Sequence, residues 1–463
     1  MTSFLVTGAV GILTGLPGEA ARAAGDIRVE AGTITELGDL AARPGERIVD
    51  ASGCVVTPGL VNTHHHLFQS VLKAVPAGMN EPLAPWLRLV PYSYWHLIDD
   101  EALRVAARIG LAELMLSGAT TVADHHYFYS DRFDYDPSAV LFEEAERLGI
   151  RFALLRGGAT KARRFDGTDM VPLPTESFSA MTAAVERDVA RFHDPAPGAM
   201  RRVVFAPTTP TYSLHPHELV EAARFARSLG IRLHSHLSED TGYAAFTLAE
   251  YGARPVEWLA GHEWLGDDVW FAHLVDLSER EIALLAETGT GMAHCPQANA
   301  RLGSGIAPAP ELAARGGAVS LAVDGAAANE AADMASALFA AFSLHRAAKG
   351  AKAVRTEEIM RWATAGGAQV LGLPAIGTIA VGKQADLALF DMSNPRYLGQ
   401  HDAVLGPVIS GGQAQIRASF VAGKEIVVDG RIPGLDLGEL GAAATRVVAR
   451  IKQRAKKGGA LAA

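Results

Sequence analysis

Cysteine is nearly missing from this chain: 463 residues contain two, Cys54 inside an apolar run and Cys295 in "AHCPQ". That pair can build neither a disulfide framework nor a thiolate zinc site, so a reducing cytoplasm is the expected location. A surplus of positive charge is absent as well, with 42 Lys and Arg against 51 Asp and Glu and a formal net charge of −9. This balance gives no electrostatic reason to expect nucleic acid or an anionic membrane as partner, and a small molecule is expected instead. No apolar run reaches the roughly 18 residues a membrane helix needs, so no span is expected. The opening "MTSFLVTGAVGILTGLPGEAARAAG" imitates a signal peptide, yet no Lys or Arg precedes Arg22, and Gly and Pro interrupt the run. It is read as part of the folded protein.

What is present is material for a large core. Hydrophobic residues make up 49% of the chain and charged ones 20%. One domain of about 250 to 350 residues plus a smaller one is the natural expectation. Short β-branched runs alternate with amphipathic segments: "VVTPGLVN", then 118–124, 149–156, 201–207, 230–236, 268–273, 288–294 and 318–324. Between them, "DDEALRVAARIGLAELMLSG" keeps apolar residues near a 3.6 period, and "HELVEAARFARSLG" ends on Gly where a helix C-terminus wants one. Eight βα units describe a (β/α)8 TIM-like barrel, placed at 59–375. The flanks carry shorter alternating pieces, and 1–58 with 376–435 are read as one composite β-sandwich. Residues 436–463 are expected to form a C-terminal helix fading into a basic tail. Large barrel enzymes often pair, so a homodimer is expected.

Barrel enzymes collect their chemistry at the C-terminal ends of the strands. Strand one is followed by His64 and His66, strand five ends at His236, strand six at His273, strand seven at His294 and strand eight at Asp324. His64 and His66 are two apart, so in extended chain they share a side while His65 points away. With His236 and Asp324 they make a donor set of the zinc type that leaves a water position open. Glu239 stands one short loop above that set as a candidate general acid and base. Asp240 beside it reads as a solvated charge or helix cap. For His234 a lower barrel layer or an orienting role is expected. His125 and His126 read equally well as orienting residues or as loop residues, and Asn299 as loop wall.

The strings "PGLVNTHHH", "HSHLSE", "FAHLVDL", "MAHCPQANARLGSGIAP" and "LAVDGAAAN", together with "GTIAVGKQADLALF", resemble the amidohydrolase superfamily over nearly the whole chain. Within it they are similar to the cytosine, guanine and S-adenosylhomocysteine deaminase branch. The resemblance implies a metal-dependent aminohydrolase with a single divalent ion, zinc by default, held by His64, His66, His236 and Asp324. Strand four, "RRVVFAPTTP", lacks the lysine that binuclear members carry. It also implies Asp324 with His273 as proton acceptors and Glu239 as the donor to a ring nitrogen. The longer strings "LLRGGAT", "LHSHLSE" and "GAAANEAADM" resemble most the pterin and oxopurine deaminases. They imply a bicyclic 2-amino-4-oxo substrate, isoxanthopterin first and 8-oxoguanine second. On that footing Gln69, Trp86, Tyr127, Thr208, Thr209 and Tyr212 are expected to line the substrate site. Arg156 is read either as partner of a distal carbonyl or as a structural ion pair, and Trp86 either as a contact or as a packing anchor. A ring-amide hydrolase would need the missing strand-four lysine, and a non-catalytic metal-binding barrel would need neither Glu239 nor His273.

Overall fold

The computed structural model describes residues 3–163 and 170–457. The expected tail, 458–463, lies outside the described residues. Eight strands form one sheet in chain order: β1 (Leu60–Asn62), β2 (Ala119–His126), β3 (Arg151–Arg156), β4 (Arg201–Phe205), β5 (Leu233–Leu237), β6 (Val269–His273), β7 (Gly291–His294) and β8 (Val319–Leu321). Every neighbouring pair is parallel, as βα connections require. The seam between β8 and β1 is joined by the Thr63 N–H donating to the Leu321 carbonyl at 3.4 Å and by the Thr63 and Ser320 hydroxyls at 2.8 Å. One step further on, the Asp324 N–H donates to the His64 carbonyl at 3.1 Å. Closure thus lays the end of the eighth strand against the end of the first, though 260 residues separate them.

The intervening helices are set by local signals. Asp99 caps the helix Asp100–Leu116 by accepting the Ala102 N–H, and Leu103, Ala106, Gly110 and Leu114 turn inward from it. Helix Pro216–Ser228 ends through Leu229 into Gly230, whose φ of 66° suits a residue without Cβ.

The run "VVTPGLVN", which the sequence suggests as one strand, is two. Cys54–Pro58 belongs to a six-stranded sheet outside the barrel, and Leu60–Asn62 opens the barrel. The break falls at Gly59, where a Cβ would lie 2.0 Å from the Thr120 hydroxyl, so the chain passes from one sheet to the other only with glycine there. In the six-stranded sheet the C-terminal strand Leu387–Asp391 pairs antiparallel with the N-terminal Cys54–Pro58. A four-stranded sheet built on Phe4–Thr7 covers it, and Phe4, Val29, Ile34, Val56, Leu389 and Phe420 fill the space between. Each of those large side chains contributes about 1.5–3 kcal/mol through burial.

Barrel and sandwich are tied by a fully buried ion pair. Arg151, at the start of β3, reaches Asp386 at 3.0 Å, and each side chain is 1% exposed. The C-terminal helix Leu437–Lys457 lies against Asp100–Leu116, with Arg450 and Arg454 paired to Asp99 at 2.7 and 3.0 Å. No described helix is long and apolar enough to cross a membrane.

Candidate active site and metal centre

At the C-terminal mouth of the barrel the histidines that end separate strands point at one another. His66 Nε2 lies 3.2 Å from His236 Nε2 and 3.2 Å from Asp324 Oδ1, and His64 Nε2 lies 3.5 Å from the same carboxylate oxygen. Their other nitrogens fix which tautomer each ring takes. His66 Nδ1–H donates to the His125 carbonyl and His236 Nδ1–H to the Thr208 carbonyl, both at 2.7 Å. His234 Nδ1–H donates to the Trp270 carbonyl at 3.0 Å, which leaves its Nε2 to accept from His64 Nδ1–H at 2.9 Å. All three ligand-type rings therefore turn an Nε2 lone pair inward, beside a carboxylate that is also an acceptor. His64 Nε2 is buried with no hydrogen-bond partner. Four acceptors facing one another without a donor is a repulsive arrangement that a cation resolves, and three neutral imidazoles with a carboxylate suit a divalent transition metal.

Electrostatics agrees with that set. Burial pushes His64 well below the ordinary imidazole range, and burial with the neighbouring His66 brings His236 down to about 3, so both rings are neutral and ready to ligate. Backbone strain is concentrated here too, since Asp324 has φ 62° and His273 φ 74°, each costing on the order of 1 kcal/mol or more.

Two carboxylates at this mouth are driven apart. Burial opposes the charge on Asp324, and because the His64 and His66 Nε2 atoms face it with lone pairs, it is a cation at this centre that would hold the carboxylate ionised. Glu239 is pushed well above that range, by burial first and then by the charge of Asp324. One is held as a base and the other as an acid. His273 Nε2 stands 3.6 Å from Glu239 Oε1, while its Nδ1–H donates to Asn299 Oδ1 at 2.9 Å. Asn299 is therefore an orienting residue for His273, beyond the loop wall that the sequence suggests. Asp240 caps helix Thr241–Tyr251 by accepting the Tyr243 N–H.

A cavity of about 250 Å³ opens above these groups, lined on one side by His66, His236, Glu239, His273 and Asp324. Gln69, Trp86, Tyr127, Thr208, Thr209 and Tyr212 line the rest of it with other groups. Gln69 is fitted against Gly325, where a Cβ would fall 2.0 Å from Oε1. Trp86 Nε1 is buried without a partner, so the ring both packs and presents a donor.

Arg156 does not join them. Strand register sets Leu155 beside His125 and Arg156 beside His126, and alternation sends those two pairs to opposite faces. The His125 ring meets the cluster of His64, His66 and His236, while Arg156 points out into the helix layer. There it pairs with Glu176 at 2.6 and 2.8 Å, stacks 3.8 Å over Tyr129, and lines a separate cavity of about 620 Å³. Of its two readings, the structural ion pair is the one the structure shows. His294 likewise faces outward, its Nε2 3.1 Å from that of His345 on helix Met334–Lys349. His126 packs edge-on against Phe68 and Tyr129. Sequence reasoning passes over Tyr92, Arg163 and Tyr243, which also line the pocket. They come from segments without strand or helix periodicity or, for Tyr243, from a helix start, and only the aromatic density of "PYSYW" hints at one of them.

Comparison with known proteins agrees with this geometry. Residues 55–431 match the model of the amidohydrolase family. The chain is 51% identical to an isoxanthopterin deaminase from an unknown prokaryotic organism, over 96% of each chain. It is 40% identical to an 8-oxoguanine deaminase of Pseudomonas aeruginosa, covering 90% of this chain and 93% of that one. Among solved structures, an amidohydrolase from a Sargasso Sea environmental sample superposes with a TM-score of 0.85 at 48% identity, over 98% and 99% of the two chains. A zinc-complexed atrazine chlorohydrolase of Arthrobacter aurescens TC1 superposes with a TM-score of 0.88 at 28% identity, over 96% and 100%.

Proposed function

The chain belongs to the amidohydrolase family and is a hydrolytic deaminase, and from that premise we propose that it converts isoxanthopterin to its 2-oxo product and ammonia. 8-Oxoguanine, which shares the 2-amino-4-oxo ring, is the second substrate of this reading. The observation that carries the deamination is the meeting of three inward-facing imidazole lone pairs, the Asp324 carboxylate and Glu239 at the wall of one cavity. A ring deamination needs that combination: a base for the attacking water, an acid for the ring nitrogen, and a place for a cation.

His64, His66, His236 and Asp324 would hold one divalent ion, zinc by the precedent of the zinc-complexed relative. When bound, such an ion supplies a water acidic enough to attack near neutral pH. Asp324, held ionised, takes the first proton from the attacking water. Glu239, held protonated, gives its proton to the ring nitrogen beside the amino-bearing carbon, so that negative charge does not build up on the ring as the new C–O bond forms. The proton on Asp324 then passes to the amino group, with His273 alongside, and the C–N bond breaks to release ammonia. As the carbonyl forms, Glu239 recovers a proton from the new hydroxyl. Gln69, Trp86, Tyr127, Thr208, Thr209 and Tyr212 hold the flat bicycle while this happens. On this reading the barrel, 59–375, carries all of the chemistry, and the sandwich of 1–58 and 376–435 carries none. The two buried cysteines, unpaired with each other, fit the cytoplasm as its compartment.

Ammonia release from isoxanthopterin, 8-oxoguanine, guanine and pterin tests the assignment. Turnover of the first is expected to lead; turnover of guanine with none of isoxanthopterin would defeat it.

A further inference from the structure

Arg163 is the one Arg or Lys among the described residues lining the pocket that holds the donors. We infer that its guanidinium reads the carbonyl on the second ring of the substrate and sets the preference for oxo-substituted bicycles. This deepens the deaminase reading above and rests on it.

Position gives the first support. A small side cavity of about 30 Å³ adjoins the pocket, and Tyr92, Tyr127, Arg163, Thr208, Thr209 and Tyr212 line both spaces. His66, His236, Glu239, His273 and Asp324 line only the pocket. Arg163 thus stands at the end away from the reacting groups. With the amino-bearing ring set against Asp324 and Glu239, the second ring of a fused bicycle extends toward that end.

Orientation gives the second. The guanidinium carbon is 4.9 Å from the centre of the Tyr212 ring and 5.7 Å from that of Tyr92, and Nη1 is 3.5 Å from the Tyr92 hydroxyl. Two aromatic faces hold a planar fork in a limited range of directions, which a lysine ammonium at the same place would not share. The positive charge is felt across the pocket, because it works against burial at both Tyr92 and Glu239. A ring carbonyl is the substrate group a guanidinium can hydrogen-bond there. Pterin and guanine lack that carbonyl on the second ring; isoxanthopterin and 8-oxoguanine carry it. A site that donates to it gains a contact with the bicycle that carries it and none with the analogue that does not.

The test compares kcat/KM for isoxanthopterin and pterin, which differ in that carbonyl and the ring N–H beside it, in the metal-loaded wild type and in Arg163→Gln and Arg163→Lys. The ratio of the two is expected to fall on the order of 10- to 100-fold in Arg163→Gln, mainly through KM. Arg163→Lys, which keeps the charge and loses the fork, is expected to show a smaller fall. Should the Gln variant not fold, a fall in the Lys variant still supports the inference. An unchanged ratio, or an equal loss on both substrates, would overturn it and leave the deaminase reading standing. A wild-type enzyme that releases ammonia from none of these bicycles would overturn the reading beneath it instead.

Discussion

His234 touches no substrate and faces no water, yet its removal should loosen the metal. Its Nε2 is the acceptor that holds His64 Nδ1–H at 2.9 Å, and its own Nδ1–H is anchored on the Trp270 carbonyl at 3.0 Å. In His234→Leu the His64 N–H faces hydrocarbon, at a desolvation cost of about 1–3 kcal/mol, and the ring loses the contact that fixes its tautomer. Loss of such a partner lowers metal affinity by about 10- to 100-fold, or roughly 1.4–2.7 kcal/mol. His234→Gln retains an acceptor in the same layer and should lose less. Competition between the protein and a chelating dye gives the affinity directly, and circular dichroism checks that the barrel is intact. A folded His234→Leu that binds zinc as tightly as wild type would refute the reasoning, because it would mean that His64 needs no partner to present its lone pair.

Glu239→Gln should retain its metal and lose about 10²- to 10⁴-fold in kcat, which ammonia release measures. An acid acts only while protonated, and Glu239 is held protonated above the ordinary carboxylate range, so the limb it governs in a kcat profile is lost as pH rises, not as it falls. A limb appearing only on the acid side would contradict that direction. Asp386→Ala strands the buried guanidinium of Arg151 and should cost about 3–5 kcal/mol in urea unfolding. A loss within experimental error would mean that the pair does not tie barrel to sandwich. Gly325→Ala puts a methyl where Gln69 Oε1 now lies and should raise KM with metal content unchanged; an unaltered KM would remove Gln69 from the substrate wall.

The barrel is legible in the sequence because its buried parallel strands are short apolar runs bounded by a helix cap or a turn, several of them β-branched, as at "RRVVFAP". The donors are legible for a related reason. A polar residue directly after such a run stands at the barrel mouth, and the i, i+2 spacing of His64 and His66 puts both on one side. Strand face is what the pattern cannot give. His294 ends its strand much as His236 stands one residue short of the end of its own, but it turns outward to His345. Arg156 follows Leu155 by one residue and so lands in the helix layer. The split of "VVTPGLVN" between two sheets turns on the closeness of Gly59 to Thr120, a contact between segments 61 residues apart. Arg163 stays hidden because an irregular loop carries no period from which a direction could be read, and Tyr92 because the helix Pro91–Tyr94 is too short to show one.

The most direct test of the whole account is ammonia release from isoxanthopterin by the purified chain before chelation, after it, and after a divalent metal is returned. About one ion per chain, activity abolished on its removal and restored with it, is the predicted result. Full turnover by metal-free protein would contradict the role assigned to His64, His66, His236 and Asp324.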